Sequence, residues 1–204
     1  MNRLEALGAD VSLMSGTSML EDLKAIKFQS FLYDKEYLDV VGYELINQYL
    51  AEHSDCLSDN VEEVTDILVN YFWHHPKGAL ADEIYLGQIY YQGKMFTPFD
   101  ESSEDGLEWE NCIDEFDFSV IHESIGEVKF LSFFNIFGSH GFPDNYFICM
   151  QDPNPDNPTV FGTDHEEFFI EVTNHGTLED FLKSMLLKNE LKAQIKEYLE
   201  WKLI

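Results

Sequence analysis

The stretch NYFICMQDPNPDNPTVFGTDHEEFF, residues 145–169, decides the fold class of this chain. It begins with an apolar run at 146–151, passes through a segment of prolines, aspartates and asparagines at 152–158, and becomes apolar again at 159–162. Aromatic and β-branched residues are typical of strands, and proline with Asp and Asn is typical of turns. Because so short a turn cannot hold a parallel crossover, the stretch predicts an antiparallel hairpin.

The same residue preferences predict strands, turns and helices in the rest of the chain. Further strands are predicted at 83–92, 127–137 and 167–173, with turn residues at 138–145. Helices are predicted at 19–28 and 35–53, between Asn60 and His75, from Thr177 onward, and at 190–201. Helices and strands are thus segregated, which favours an α+β fold with an antiparallel meander sheet flanked by N-terminal and C-terminal helices. We expect residues 1–78 to form an N-terminal helical extension and residues 79–204 the α+β domain, the two making one compact unit.

The net charge restricts the possible partners. With 39 Asp and Glu against 12 Lys and Arg, the formal charge is −27. Such a surface repels nucleic acid phosphates and anionic lipid, and it attracts cationic proteins. An acidic composition also serves solubility alone.

We expect the protein to be cytoplasmic and not bound to a membrane. No run approaches the roughly 18 apolar residues of a membrane helix, and the first residues do not resemble a signal peptide. The three cysteines are odd in number and widely spaced, and they form neither a disulfide framework nor a CxxC metal pair.

The acidic residues concentrate in one region. Ten acids and no Lys or Arg lie between Thr97 and Ser124. We predict that residues 100–117, called here the acidic segment, form an exposed loop or edge that contributes to partner binding. An alternative is that the segment is only a solvated face. The predicted contact residues are Asp100, Glu101, Glu104, Asp105, Glu108, Glu110, Asp114 and Glu115.

No motif predicts catalysis, a metal or a cofactor. Asp164, His165 and Glu166 are consecutive, and neighbours on a strand point to opposite faces, so they do not form an obvious ligand set. The sequence contains no H-x-x-x-H pair, no G-x-S-x-G elbow and no glycine-rich phosphate loop, and Arg3 is its single arginine. We therefore expect a binding protein. A hydrolase with a carboxylate site remains an alternative, since 39 acids make any carboxylate pair uninformative.

The order of elements in the C-terminal half resembles the SUKH superfamily of bacterial immunity proteins. The similarity covers about residues 125–188. Its elements are the strand ending at Asp152, then Val160, then Asp164 to Glu166, and a helix reading Leu178 to Leu182. The first 75 residues do not follow the family pattern.

The resemblance implies a protein that binds and neutralises a toxin, often a nuclease or deaminase. It implies no catalysis by the tripeptide, and we interpret Asp152, Asp164, His165 and Glu166 as structural. The partner would be a basic toxin, since a toxin that acts on nucleic acid must hold phosphates. An acidic regulator of some other cationic protein is the alternative. For the core, we predict that Phe130, Phe133 and Phe147 are buried.

Overall fold

The computed structural model describes residues 2–28, 30–35, 43–53, 60–74, 88–111, 113–139, 145–164, 166 and 168–202. The helices are α1 Asn2–Ala6, α2 Met19–Ala25, α3 Tyr43–Glu52, α4 Val61–Trp73, α5 Glu104–Trp109, α6 Ser119–Ile125, α7 Leu178–Ser184 and α8 Lys188–Lys202. The strands are β1 Ala9–Asp10, β2 Lys27–Phe28, β3 Ile89–Phe96, β4 Phe133–Ser139, β5 Asn145–Cys149, β6 Thr159–Thr163 and β7 Thr173–Thr177.

The fold is α+β, as predicted. Strands β3 to β7 form one antiparallel sheet in sequential order, and β1 pairs with β2 in a small separate sheet. Helices flank the large sheet from both ends of the sequence. The predicted meander with N-terminal and C-terminal helices is confirmed.

The hairpin that decides the fold is held by one buried carboxylate. Strands β5 and β6 pair Tyr146 with Gly162 and Ile148 with Val160. In the turn between them, Asp152 Oδ1 accepts a hydrogen bond from the backbone N–H of Asn154 at 2.8 Å. Its Oδ2 accepts from the N–H of Thr159, also at 2.8 Å. Asp152 therefore satisfies two turn amides that would otherwise lack partners.

The two faces of the sheet pack against different parts of the chain. One face contributes to an aromatic cluster that buries Phe96, Phe133, Phe147, Phe161 and Phe169. The other face packs against α1, α2 and α7. Its buried residues include Leu4, Leu23, Phe134, Ile148, Val160 and Phe181. Both faces are covered, which explains why the strands are so rich in apolar residues.

A third cluster joins helices that are distant in the sequence. Leu68 of α4 is buried in the same cluster as Leu191, Ile195 and Leu199 of α8. Lys192 and Lys196 on α8 form ion pairs with Glu62 on α4 at 2.9 and 2.8 Å. The predicted boundary at residue 78 lies outside the described residues.

The predicted helices agree with the described ones to within a few residues, and their caps are in place. Ser18 Oγ accepts from the N–H of Glu21 at the start of α2. Thr177 Oγ1 accepts from the N–H of Asp180 at the start of α7. At the start of α4, Asn60 Oδ1 accepts from the N–H of Glu62. Residues 36–42 of the predicted second helix lie outside the described part of the chain.

The strands predicted at 127–137 and 167–173 do not have the predicted limits. The strand predicted at 127–137 begins only at Phe133, because Phe133 pairs with the last residue of β3 and the last residue of β5. Residues before it have no strand to pair with, so Phe130 is 61% exposed and the prediction that it is buried was wrong. Phe133 and Phe147 are fully buried, as predicted. The first strand is described from Ile89 to Phe96, and residues 83–87 of the predicted strand lie outside the described residues.

The strand predicted at 167–173 was also wrong. Residues 168–170 form a turn, and the strand follows at Thr173–Thr177. Phe169 has a φ of 55°, in the left-handed region that residues other than glycine rarely occupy. Its N–H donates to Thr163 Oγ1 at 2.8 Å, and its ring is buried in the aromatic cluster. Local propensity predicts a strand here. Burial of the Phe169 ring and the hydrogen bond to Thr163 stabilise a turn instead.

A candidate protein-binding surface

The acidic segment is folded, not an open loop. It contains α5 and a single 3-10 turn at Ile113–Glu115, and it leads into α6. Its aromatic residues reach the aromatic cluster: Trp109 lies 4.6 Å from Phe168, and Phe116 lies 5.4 Å from Phe169, between ring centroids. The prediction of an exposed loop or edge was therefore wrong for the backbone, because the rings of Trp109 and Phe116 fix the segment to the aromatic cluster.

The carboxylates of this segment point outward with one exception. Asp105 is half-buried, and its Oδ2 accepts from the backbone N–H of Thr97 at 2.8 Å. Asp105 thus belongs to the scaffold of the segment. The other seven predicted contact residues are exposed: Asp100, Glu101, Glu104, Glu108, Glu110, Asp114 and Glu115.

The exposed carboxylates have no cationic partner in the described part of the chain. None of the seven forms an ion pair with a described lysine or arginine. Three lysines of the C-terminal helices, Lys183, Lys192 and Lys196, form ion pairs with other carboxylates. Hydrogen bonds from Lys196 and Lys192 lower the pKa of Glu62 to about 2. The charge of the acidic segment is therefore left to solvent, whereas Lys192 and Lys196 of α8 are paired with carboxylates of α4.

Local hydrogen bonds keep some of these acids ionised. Asp100 accepts from the hydroxyl and the backbone N–H of Ser102, and these bonds lower the pKa of its carboxyl group. The hydrogen bond from the backbone N–H of Ser119 has the same effect on the pKa of Asp117. Both groups carry negative charge well below neutral pH.

Two large apolar side chains are exposed beside the acids. Leu107 on α5 is 64% exposed and Phe130 is 61% exposed. The Phe130 ring lies 6.2 Å from that of Phe99, which packs at 5.7 Å from Phe118 at the edge of the aromatic cluster. Lys129 Nζ lies 4.9 Å from the centroid of Phe130. No sequence pattern indicates the exposure of either side chain, since strand and helix patterns place apolar residues inward.

A shallow cavity extends this acidic surface onto α6. Its volume is about 570 Å³. His122 stands in it, with Nδ1 3.7 Å from Glu127 Oε2 and Nε2 3.2 Å from the carbonyl oxygen of Val128. The cavity is lined by Phe116, Asp117, Phe118, Ser119, His122, Glu123 and Glu127. Three carboxylates and two aromatic rings around one depression suit a cationic group rather than an anion.

The residues of the predicted structural motif do not come together as one site. Asp152 is buried in the β5–β6 turn, Asp164 is half-buried and Glu166 is exposed. His165 lies outside the described residues. Among the residues that the structure describes, no three His, Cys, Asp or Glu side chains are placed to hold a metal ion. Burial raises the pKa of the Cys149 thiol to about 11, so it is protonated at neutral pH.

The single arginine has a structural contact that its sequence position does not reveal. Arg3 Nε donates to the carbonyl oxygen of Leu182 at 3.0 Å, and its guanidinium also donates to the carbonyl oxygens of Lys183 and Met185. These carbonyls lie at and just after the C-terminal end of α7, where the helix leaves backbone oxygens without a full set of N–H donors. A cation is favourable at this end of a helix. Arg3 therefore ties the first helix of the chain to the end of α7.

Comparison with protein families, with curated proteins and with solved structures found no match. None of the helices in the described ranges has the length and apolar character needed to cross a bilayer.

Proposed function

We propose that this protein is a cytoplasmic immunity protein that binds and neutralises a cationic toxin acting on nucleic acid, with the acidic segment as its contact surface. One observation carries the proposal. Seven exposed carboxylates, without an internal cation among the described residues, are presented on a backbone that the aromatic cluster holds in place. The proposal gives the protein a binding role and no catalytic one.

Electrostatic complementarity is the physical reason for this partner. A toxin that acts on nucleic acid needs a positive surface to hold phosphates, and a dense group of carboxylates is complementary to that surface. Like charges crowded on one segment repel each other, and a cationic partner relieves that repulsion. The similarity of residues 125–188 to SUKH immunity proteins supports the same role.

A growth experiment tests the proposal. The product of the gene next to this one is expressed in a bacterial host alone and together with this protein. We expect the neighbour to be basic, to stop growth when expressed alone, and to bind this protein and allow growth when both are present. A neighbour that is harmless, or that remains toxic beside a well-folded partner, would sink the proposal.

Charge reversal then tests the contact surface. In Glu108→Lys with Glu110→Lys, both positions are exposed and lie at the C-terminal end of α5, where positive charge suits the helix. Rim charges act mainly on association. We therefore expect at least tenfold slower association at low salt and a weaker salt dependence. The control, Glu197→Lys with Glu200→Lys, makes the same change of net charge at two exposed positions near the C-terminal end of α8. An equal effect of both pairs would mean that only total charge matters.

A further inference from the structure

We propose that Leu107 and Phe130 form the apolar centre of the contact surface, and that apolar side chains of the basic partner cover them. This inference rests on the proposed function and adds to it the residues that control dissociation. Both side chains are more than 60% exposed. The seven exposed carboxylates would then be the rim around them.

A turn at residues 97–100, held by side-chain and backbone contacts, lies next to both residues. Ser103 Oγ donates to the carbonyl oxygen of Thr97 at 3.0 Å and accepts from the N–H of Gly106 at 2.9 Å. A Cβ atom at Gly106 would lie 2.0 Å from the carbonyl oxygen of Asp100, so only glycine allows α5 to start against this turn. Leu107 follows directly after Gly106. Phe130 reaches the same turn through its contact with Phe99.

An apolar centre is needed because hydrated charges alone give rapid exchange. Rim charges accelerate the encounter, whereas residues that lose all contact with water on binding slow the separation. Interfaces place aromatic and aliphatic side chains at the centre and polar residues at the rim. Phe130 fits this role, since its ring has few contacts of its own to lose and much surface to bury.

The charge around the two residues specifies the partner. The exposed acids Glu104 and Glu108 flank Leu107 on α5, and an acidic partner would meet like charge there. Lys129 lies over the Phe130 ring, so the ring already binds an ammonium group within the chain. A lysine or arginine of the partner can take a similar position over an aromatic face. The occupant is therefore a protein surface with apolar side chains inside a ring of lysines and arginines.

Alanine variants with a matched control test this inference. The test variants are Leu107→Ala and Phe130→Ala, and the control is Leu13→Ala. Leu13 is 63% exposed against 64% for Leu107, and it lies in the segment before α2. The probe is the purified basic protein encoded by the neighbouring gene, in a variant without toxic activity. Thermal unfolding shows whether each variant keeps the stability of the parent.

We expect at least tenfold faster dissociation for Phe130→Ala or Leu107→Ala, since truncation of an interface anchor typically has an effect of this size or larger. Association rates and their salt dependence should stay those of the parent, and Leu13→Ala should match the parent throughout. Parental dissociation rates in both test variants would overturn the inference and leave the proposed function standing. The inference would also be overturned if the control Leu13→Ala dissociated as fast as the two test variants. Failure of the parent protein to bind the probe would overturn both.

Discussion

Replacing Phe147 by alanine should cost far more stability than the same replacement at Phe130. Phe147 is fully buried, with ring centroids at 4.7 Å from Phe169, 5.1 Å from Phe133 and 5.8 Å from Phe161. Truncation of a buried Phe to Ala typically costs about 3–5 kcal/mol of unfolding free energy, because transfer and cavity terms add. Phe147 is surrounded by three other rings, and rigid rings fill a cavity poorly. We therefore expect a loss of unfolding free energy in the upper part of that range.

At Phe130 the same change removes a ring that is 61% exposed and packs mainly on Phe99. Surface substitutions usually stay within about 0.5 kcal/mol, so we expect a cost below about 1 kcal/mol. Both variants delete the same atoms, so the difference between their losses of unfolding free energy reports the difference in burial of the two rings.

Urea unfolding, followed by tryptophan fluorescence and circular dichroism, measures both costs. With an m-value of about 2–3 kcal/mol per molar urea, Phe147→Ala should lower the midpoint by about 1.3–2.5 M and Phe130→Ala by less than about 0.5 M. Similar midpoints for the two variants would refute the assignment of one ring to the core and the other to the surface. So would a larger loss at Phe130.

Two further predictions concern single polar groups. Burial lowers the pKa of His175 below its ordinary value of 6.5, against the opposing effect of Asp34. The unfolded chain therefore binds the proton more readily, and stability should fall as the pH drops below about 6.5. His175→Gln should reduce the loss of urea midpoint between pH 7.5 and 5.5, and an unchanged loss would rule out His175 as its source. Asp152→Ala removes the acceptor of two turn amides and should cost about 1–3 kcal/mol, whereas Asp152→Asn, which keeps one acceptor oxygen, should cost less. Equal urea midpoints for the parent and the alanine variant would show that the turn does not depend on this carboxylate.

The parts of the fold that the sequence predicts are those that local interactions determine. The β5–β6 hairpin needs only two apolar runs and a turn at 152–158, and these are contiguous in the chain. The helix caps at Ser18 and Thr177 act over three residues. The exposure of the acids follows from the cost of burying charge, which is large wherever the residue lies.

The parts that the sequence does not predict depend on distant partners. The start of β4 is set by the ends of β3 and β5, and no local pattern at 127–132 carries that information. The conformation of Phe169 depends on its burial in the aromatic cluster and on Thr163. Arg3 finds its acceptors 179 and more residues away. Leu107 and Phe130 are apolar residues on the surface, and a sequence pattern assigns such residues to the core.

The acidic segment shows how two features of the composition act together. Nine acids without a cation in residues 100–117 would expand an unanchored chain by mutual repulsion, and a partner would then have to order the segment as it bound. Here Trp109, Phe116 and Phe118 pack in the aromatic cluster and fix the backbone. The carboxylates are therefore already held close together in the unbound protein, at the cost of their mutual repulsion. A preordered surface loses less conformational entropy on binding. Steering by the exposed carboxylates would then act on a surface of fixed shape, and its contribution to the association rate should depend on salt rather than on a folding step.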